Sequence, residues 1–388
     1  MPFLSARASR SILGALALGS CAFMAPSLAM ASGTIDSGSL WLDTSGHPIN
    51  AHGGGFLRFD GRYYWYGEIK TGETTLPEVN ASWGGTRVPF TGVGCYSSTD
   101  LSTWKFEGNV LPANPQIAEL DPARVVERPK VIFNRSTREF VMWMHIDSPD
   151  YLEARLGVAV ADKPQGPFRY VGASRPNAGA YPEDMSEDLR QTFDAALKAR
   201  AIESWTAKHP EWKTWARDFN IGQMARDMAL FLDDDGAAYV FYASEENEVM
   251  HVSRLSDDYL QHTGHYRRIT FDKREAPAPF KWKGRYYLAT SGCTGWDPNP
   301  TMIHSAGTPL GPWENHGSFF DDNSSAAGVS YLSQPCFVLQ VEGGGLLFMA
   351  DRWNKFDLEA SRYVWLPIET SSGVPRVRWL QRWSLDRF

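Results

Sequence analysis

The sequence predicts an all-β protein, a five-bladed β-propeller with a partly helical insertion between blades two and three. Three observations support this. An element made of a polar residue, a short apolar strand, a turn and an aromatic strand recurs five times in the 388 residues. In four copies, the leading polar residue precedes a turn glycine by nine residues. A further strand with a polar loop follows several copies, and a strand–turn–strand–strand unit is one propeller blade.

The N-terminus has the pattern of an export signal. Two arginines precede an apolar stretch over residues 12–24, and the triplet Ala-Met-Ala ending at Ala31 matches a small-x-small cleavage site. We therefore expect residues 1–31 to be a signal peptide and the protein to be periplasmic or extracellular. A lipoprotein anchor at Cys21 is the weaker alternative, because apolar residues continue past this cysteine.

Composition limits the classes of binding partner that we expect for the predicted mature domain, residues 32–388. The net charge is −7 and no basic run follows the first residues, so we expect neither nucleic acid nor an anionic membrane as a partner. No later segment is apolar enough to span a bilayer, and we expect a monomer. The 15 Trp and 15 Tyr suit a saccharide partner, because their faces stack on sugar rings while their edges donate hydrogen bonds.

The leading polar residues define the heads of the five predicted blades. In a propeller, the first strand of each blade lines the central channel, so residues at one offset point to the same end of it. The heads are His52, Glu127, Asp227, Glu275 and Gln334. Three carboxylates at one place are costly, which disfavours the alternative that these residues only cap strands. The glycines after His52 would let backbone approach whatever fills the channel.

The predicted insertion spans residues 171–224. The segment "SEDLRQTFDAALKARA" has apolar residues at helical spacing, and Ser186 is a suitable N-cap. Two interpretations stay open at this point: a wall on one side of the channel, or a surface excursion between two blades.

Three carboxylates in an aromatic-lined channel indicate glycoside hydrolysis. This reaction needs a proton donor for the leaving oxygen and a base for water. The donor needs a raised pKa, which a neighbouring carboxylate can provide.

The motifs resemble a known family. The five-bladed pattern with "DMALFLDDDG" and "EAPAPFKWKGRYYL" is similar to glycoside hydrolase family 43 over nearly the whole mature chain. The ordered motifs "INAHGGG", "YYWYGE", "ERPKVIFN", "SEEN", "TGWDPN" and "SQPCFVL" resemble the branch containing exo-β-1,3-galactanases and related furanosidases.

The resemblance implies an inverting, exo-acting hydrolase of β-galactan. Alternatives are an α-L-arabinofuranosidase or β-D-galactofuranosidase and, in another class, a carbohydrate-binding propeller without catalysis. By resemblance, Glu275 matches the general acid and Asp227 the carboxylate that tunes it. The family's usual base, an Asp at the head of blade one, is replaced by His52. In this branch Gln334 matches a base acting as its imidic tautomer, and Glu127 is the rival.

Supporting residues are expected at the ends of second strands. Glu68 and Glu245, or its neighbour Glu246, are candidates to bind sugar hydroxyls, and Thr294 to Asp297 contains Trp296 as a stacking surface. His52 is expected to bind substrate by hydrogen bonding, or to surround a channel ion. No cofactor or metal is required, while a channel cation such as calcium stays an alternative.

Overall fold

Strands dominate the computed structural model, which describes residues 33–76, 86–322, 324–371 and 373–388. In this part of the chain, five antiparallel sheets contain four strands each, in chain order from the axis outward. Blades one and two are β2 (His52–Phe59), β3 (Arg62–Glu68), β4 (Gly92–Ser98), β5 (Lys105–Pro112), β6 (Val125–Phe133), β7 (Phe140–Asp147), β8 (Arg155–Ala161) and β9 (Arg169–Ser174). Blades three to five are β10 (Met228–Leu232), β11 (Ala238–Ser244), β12 (Val249–Leu255), β13 (His262–Ile269), β14 (Arg274–Trp282), β15 (Arg285–Gly292), β16 (Met302–Ala306), β17 (Glu314–Ser318), β18 (Gln334–Gln340), β19 (Leu346–Arg352), β20 (Arg362–Glu369) and β21 (Arg376–Val377). The predicted five-bladed propeller is confirmed. The predicted signal peptide lies outside the described residues.

The hairpins form where the sequence places turn glycines. Asp60 and Gly61 have φ values of 49° and 71°, and Lys283 and Gly284 have values of 47° and 77°. Two successive positive φ values are typical of the tight turn that matches the twist of paired strands. The flanking residues are aromatic and β-branched, which favours strands.

The first strands of the blades form the inner ring. Each contacts the first strand of the next blade, and β18 of blade five contacts β2 of blade one. A short strand, β1 (Thr34–Asp36), pairs with β22 (Arg382–Ser384) beside this junction. Trp65, Trp104 and Trp365 lie in one buried cluster that joins blades one and five. Because large aromatic side chains bury much apolar area, this cluster stabilises the closure of the ring.

The insertion between blades two and three contains the helices α1 (Glu187–Lys198), α2 (Ile202–Thr206) and α3 (Lys213–Asp218). Ser186 caps α1 by accepting a hydrogen bond from the Leu189 N–H at 3.3 Å. The sequence-based start at 171 is early, because the outer strand β9 continues to Ser174. The insertion packs along β13, where Trp215 donates a hydrogen bond to the Tyr266 hydroxyl at 2.7 Å. None of the helices in the described ranges is long and apolar enough to cross a membrane.

Candidate active site

The five blade heads lie at one end of the propeller axis, and local backbone geometry directs them. Strands β2, β6 and β14 carry a register shift directly behind the leading residue. The next residues, Gly53, Arg128 and Ala276, have φ values of 58°, 55° and 50°. A bulge of this kind bends the strand and changes the direction of neighbouring side chains. Four heads then line a pocket, namely Glu127, Asp227, Glu275 and Gln334.

Glu275 has the environment of a proton donor. Its side chain is buried, with the residue 8% exposed. Burial, reinforced by the negative charge of Asp227, raises the pKa of Glu275 to about 8, although Arg128 opposes this shift. Glu275 is therefore protonated at neutral pH, as a general acid must be before it donates a proton.

Asp227 supports Glu275 through both charge and backbone. Its Oδ2 accepts a hydrogen bond from the backbone N–H of Ala276, the residue after Glu275, at 3.1 Å. The same oxygen lies 2.8 Å from Nη2 of Arg128. Asp227 thus places negative charge beside Glu275 and fixes the backbone that carries it. This geometry is consistent with the tuning role predicted for Asp227.

Arg128 connects four blades at the base of the pocket. Its backbone N–H donates to Oε1 of Glu68 in blade one at 2.9 Å. Its guanidinium contacts Asp227 of blade three and donates to Oε1 of Gln334 in blade five at 2.6 Å. Charge-assisted bonds of this kind are strong and directional.

The amide of Gln334 is fixed by four contacts. Its Oε1 accepts hydrogen bonds from Arg128 and from Nε1 of Trp353, the latter at 2.9 Å. Its Nε2 donates to Oε1 of Glu275 and to Oγ of Ser291, both at 3.1 Å. The two donors at Oε1 determine which amide atom is oxygen, because a flipped NH₂ group would face other donors. Gln334 therefore touches the predicted acid directly.

Glu127 is an ionised carboxylate on the opposite part of the ring of heads. Its Oε1 accepts a hydrogen bond from the Tyr151 hydroxyl at 3.0 Å and lies 3.8 Å from Nζ of Lys70. Its Oε2 lies 3.5 Å from Nδ1 of His145. Burial opposes ionisation, but His145, Lys70 and Arg128 outweigh it and lower the pKa of Glu127 to about 2.

Two of the predicted sugar-binding residues line the pocket. Glu68 does so while forming an ion pair with Lys70, Oε2 to Nζ, at 2.5 Å. Trp296 also lines it and packs edge-on against Trp353, with ring centroids 4.7 Å apart. The ammonium of Lys70 lies 5.2 Å from the centroid of the Trp296 ring, which is a cation–π contact.

Two other expected ligands of the sugar lie elsewhere. Glu245 is 2% exposed and accepts hydrogen bonds from His251 and Arg268, so the pocket wall is formed by its neighbour Glu246 instead. Thr294 is on the rim loop, but its hydroxyl donates to the Asp297 carbonyl and does not line the pocket.

His52 also departs from its expected role. It is fully buried, its ring stacks on Tyr363 at a centroid distance of 5.0 Å, and its Nδ1 lies 3.4 Å from Oδ1 of Asp351. It does not line the pocket. Its ring centroid lies 5.6 Å from that of Trp353, so His52 contacts a residue of the pocket wall without lining the pocket itself.

Two of the glycines after His52 make room for buried side chains, one of which is a lysine. A Cβ added at Gly55 would lie 2.5 Å from Cδ of Lys130, and one added at Gly53 would lie 2.3 Å from Oε1 of Glu68. The buried Lys130 ammonium donates to the Gly53 carbonyl at 2.7 Å. Burial lowers the pKa of Lys130 to about 8. The glycines therefore accommodate the buried side chains of Lys130 and Glu68.

The part of the chain that the structure describes contains no cluster of His, Cys, Asp and Glu side chains of the kind that holds a metal ion. No three His, Cys, Asp or Glu side chains converge there as metal ligands. Calcium prefers six to eight oxygen ligands, whereas the place beside the glycines holds the ammonium of Lys130. A channel cation such as calcium stays a prediction.

Comparisons with known proteins agree with this geometry. Residues 190–349 match the model of glycosyl hydrolases family 43. A solved GH43 β-1,3-galactosidase, with galactodeoxynojirimycin, is 40% identical over 90% of this chain and 99% of its own, with a TM-score of 0.78. The chain belongs to glycosyl hydrolase family 43.

Two further solved structures are similar to this family 43 protein. An exo-β-1,3-galactanase from Phanerochaete chrysosporium, with β-1,3-galactotriose, is 32% identical over 91% of this chain and 68% of its own, with a TM-score of 0.71. One from Clostridium thermocellum is 32% identical over 90% of this chain and 66% of its own, with a TM-score of 0.69. No match was found among curated proteins. Membership of family 43 and the similarity to these galactosidases make the protein a glycoside hydrolase, so the alternative of a carbohydrate-binding propeller without catalysis is excluded.

Sequence reasoning missed several pocket residues of this glycoside hydrolase, and a signal exists for three of them. His145 lies near the end of β7, Tyr151 lies in the loop after β7, and Trp353 directly follows β19. In a hairpin, the end of the second strand lies beside the start of the first, at the pocket end of the blade. Positions near or just beyond the end of a second strand had pointed to Glu68 and Trp296, and the corresponding region of blades two and five contains all three residues.

Proposed function

We propose that this protein releases terminal galactose from β-1,3-linked galactan by exo-acting, inverting hydrolysis. The substrate follows from the named neighbours, which are a β-1,3-galactosidase and exo-β-1,3-galactanases. The observation that carries the reaction is the burial of Glu275 beside Asp227 in a pocket, an environment that raises the pKa of Glu275. A polymeric substrate also fits the export predicted from residues 1–31, because a polysaccharide does not cross a membrane unaided.

In the proposed reaction, Glu275 donates its proton to the glycosidic oxygen as the bond to the anomeric carbon breaks. Asp227 keeps Glu275 protonated until substrate arrives and holds the backbone at Ala276. Arg128 balances the negative charge that Glu275 gains, since its guanidinium already bonds Asp227 and Gln334.

Two groups compete for the activation of water. Gln334 matches the base of the related branch, but it donates to Glu275 at 3.1 Å. The acid and base of an inverting enzyme stand about 6.5–9.5 Å apart to admit water. Gln334 would therefore have to move away from Glu275 when sugar binds. The hydrogen bonds of catalytic groups often change between the free enzyme and its complex with substrate. Glu127 is ionised and lines the same pocket without touching Glu275.

The proposed function is tested by the product. Purified protein is incubated with β-1,3-galactan and, separately, with nitrophenyl glycosides of galactopyranose, galactofuranose and arabinofuranose. We expect galactose as the product from galactan, with the α anomer seen first by proton NMR. Release of β-galactose would contradict inversion. Activity confined to a furanoside would replace galactan by the furanosidase alternative.

A further inference from the structure

A buried carboxylate, Asp147, organises the loop beside Glu127. Asp147 is fully buried, and its Oδ1 accepts hydrogen bonds from three backbone N–H groups. They belong to Ser148, Glu153 and Ala154, at 2.9, 2.8 and 2.9 Å. These bonds close the loop between β7 and β8, and this loop carries Tyr151, whose hydroxyl donates to Oε1 of Glu127. Asp147 thus fixes Tyr151, the first of two partners of Glu127 that it holds.

The other oxygen of Asp147 fixes the second partner. Nε2 of His145 donates to Oδ2 of Asp147 at 2.9 Å. On the other side of the ring, Nδ1 lies 3.5 Å from Oε2 of Glu127. This nitrogen is buried and has no other acceptor. A histidine between two carboxylates is favoured as the doubly protonated imidazolium, since each ring N–H then faces a negative oxygen.

We propose that Asp147 and His145 are positioning residues of the active site, in which Asp147 maintains His145 as an imidazolium and the imidazolium maintains Glu127 as an oriented carboxylate. The inference rests on the proposed hydrolysis in one respect only, namely what the charged Glu127 does to the substrate or to water. His145 transfers no proton in the reaction. It sets the charge and the direction of Glu127, whether Glu127 binds a sugar hydroxyl or activates water.

The charges around the pair agree with this assignment. Lys70 and Arg128 face Glu127 with positive charge, while Glu68 faces it with negative charge and Tyr151 is neutral. Burial alone would lower the pKa of His145, but Asp147 and Glu127 outweigh it and raise the pKa to about 9. We therefore expect Glu127 to stay ionised over roughly pH 3 to 9, so that its titration does not limit activity in this range.

Removal of the imidazolium charge should make Glu127 titrate within that range. In His145→Gln, an amide replaces the cation, so burial and Glu68 are opposed only by Lys70 and Arg128. In Asp147→Asn, the side-chain oxygen can still accept the three loop N–H bonds, but its NH₂ donates to Nε2 and forces His145 neutral. Both variants should raise the pKa of Glu127, the second with little change in the loop.

The first experiment measures kcat/KM on an aryl β-galactoside from roughly pH 3 to 9. We expect both variants to gain an acidic limb at least about one pH unit above any in the wild type, with a loss of roughly tenfold or more below it. The matched control is His304→Gln, which alters a buried histidine that is hydrogen-bonded to Thr290 and lies outside the pocket. It should leave the profile unchanged. A uniform fall in activity with an unmoved acid limb, in variants that melt like the control, would overturn the proposal.

The second experiment needs no activity. Proton NMR follows the histidine ring signals with pH, and His145 is assigned by the signal that His145→Gln lacks. We expect an imidazolium up to about pH 8 in the wild type and a midpoint at least about one unit lower in Asp147→Asn. A neutral His145 at pH 7 in the wild type overturns the proposal. A charged His145 in a protein that cleaves no galactoside instead rejects the proposed function and leaves the pairing standing.

Discussion

The backbone N–H of Ala276 donates a hydrogen bond to Asp227 at 3.1 Å, which ties the first strand of blade four to the head of blade three. Ala276 follows Glu275 and has a φ of 50°, a conformation that non-glycine residues adopt only when the surroundings hold it. One oxygen of Asp227 therefore stabilises the bulge that directs Glu275, and the charge of Asp227 adds to the effect of burial in raising the pKa of Glu275.

Replacement of Asp227 should separate these two effects. In Asp227→Asn, an amide oxygen can still accept from Ala276, but the negative charge is gone. The pKa of Glu275 should fall, so the basic limb of the rate profile should move to lower pH while kcat also decreases. The measurement is kcat against pH on an aryl galactoside. A reduced kcat with the limb in its wild-type place would assign Asp227 to substrate binding instead.

Glu275→Gln should abolish hydrolysis of galactan and leave the fold intact. Loss of a general acid typically costs about 100- to 10,000-fold. The sign of the pH dependence follows from the raised pKa. The acid is protonated below about pH 8 and ionised above it, so wild-type activity should fall as pH rises through that value. A variant with over about a tenth of wild-type kcat, on a substrate with a poor leaving group, would reject Glu275 as the acid.

Gln334→Ala and Glu127→Gln should identify the base. An activated aryl glycoside needs little protonation of its leaving group, so the base dominates the rate. If the related branch is a correct guide, Gln334→Ala will be nearly as inactive as Glu275→Gln, and azide will rescue it to the inverted glycosyl azide. Glu127→Gln will then retain more activity. The reverse ranking, with Gln334→Ala within about tenfold of wild type, makes Glu127 the base.

Gly55→Ala should destabilise the protein, because its Cβ would lie 2.5 Å from Cδ of the buried Lys130. Overpacking of this kind costs about 1–3 kcal/mol, which thermal unfolding can measure. The matched control is Gly307→Ala, where an added Cβ meets nothing within 4 Å. Equal melting temperatures for the two variants would show that the lysine adapts and that the glycine at this position is not required.

The sequence was most informative where the determinants are local. The turn at Asp60–Gly61 and the nine-residue spacing from His52 to Gly61 depend on neighbouring residues, so they predicted the hairpin and its head without knowledge of other blades. The same spacing placed Asp227, Glu275 and Gln334 at one end of the axis, where all three line the pocket.

Prediction was weaker where contacts join residues of different strands. The choice of Glu246 over Glu245 depends on three successive residues, 245–247, with φ values of 49°, 58° and 61°. Such a left-handed turn has little sequence signal in non-glycine residues. It persists because His251 and Arg268 bind Glu245 from strands β12 and β13.

The sequence by itself determined the five blades, their heads and the chemistry that three gathered carboxylates imply, because strand alternation and turn residues act within one hairpin. Only the tertiary structure decided which partner each polar group takes. It brought Gln334 against Glu275, placed the Lys130 side chain against Gly55, and set His145 between Asp147 and Glu127. These contacts depend on bulges, side-chain directions and the closure of the ring, and an ionisable group acquires its pKa from such neighbours rather than from its position in the chain.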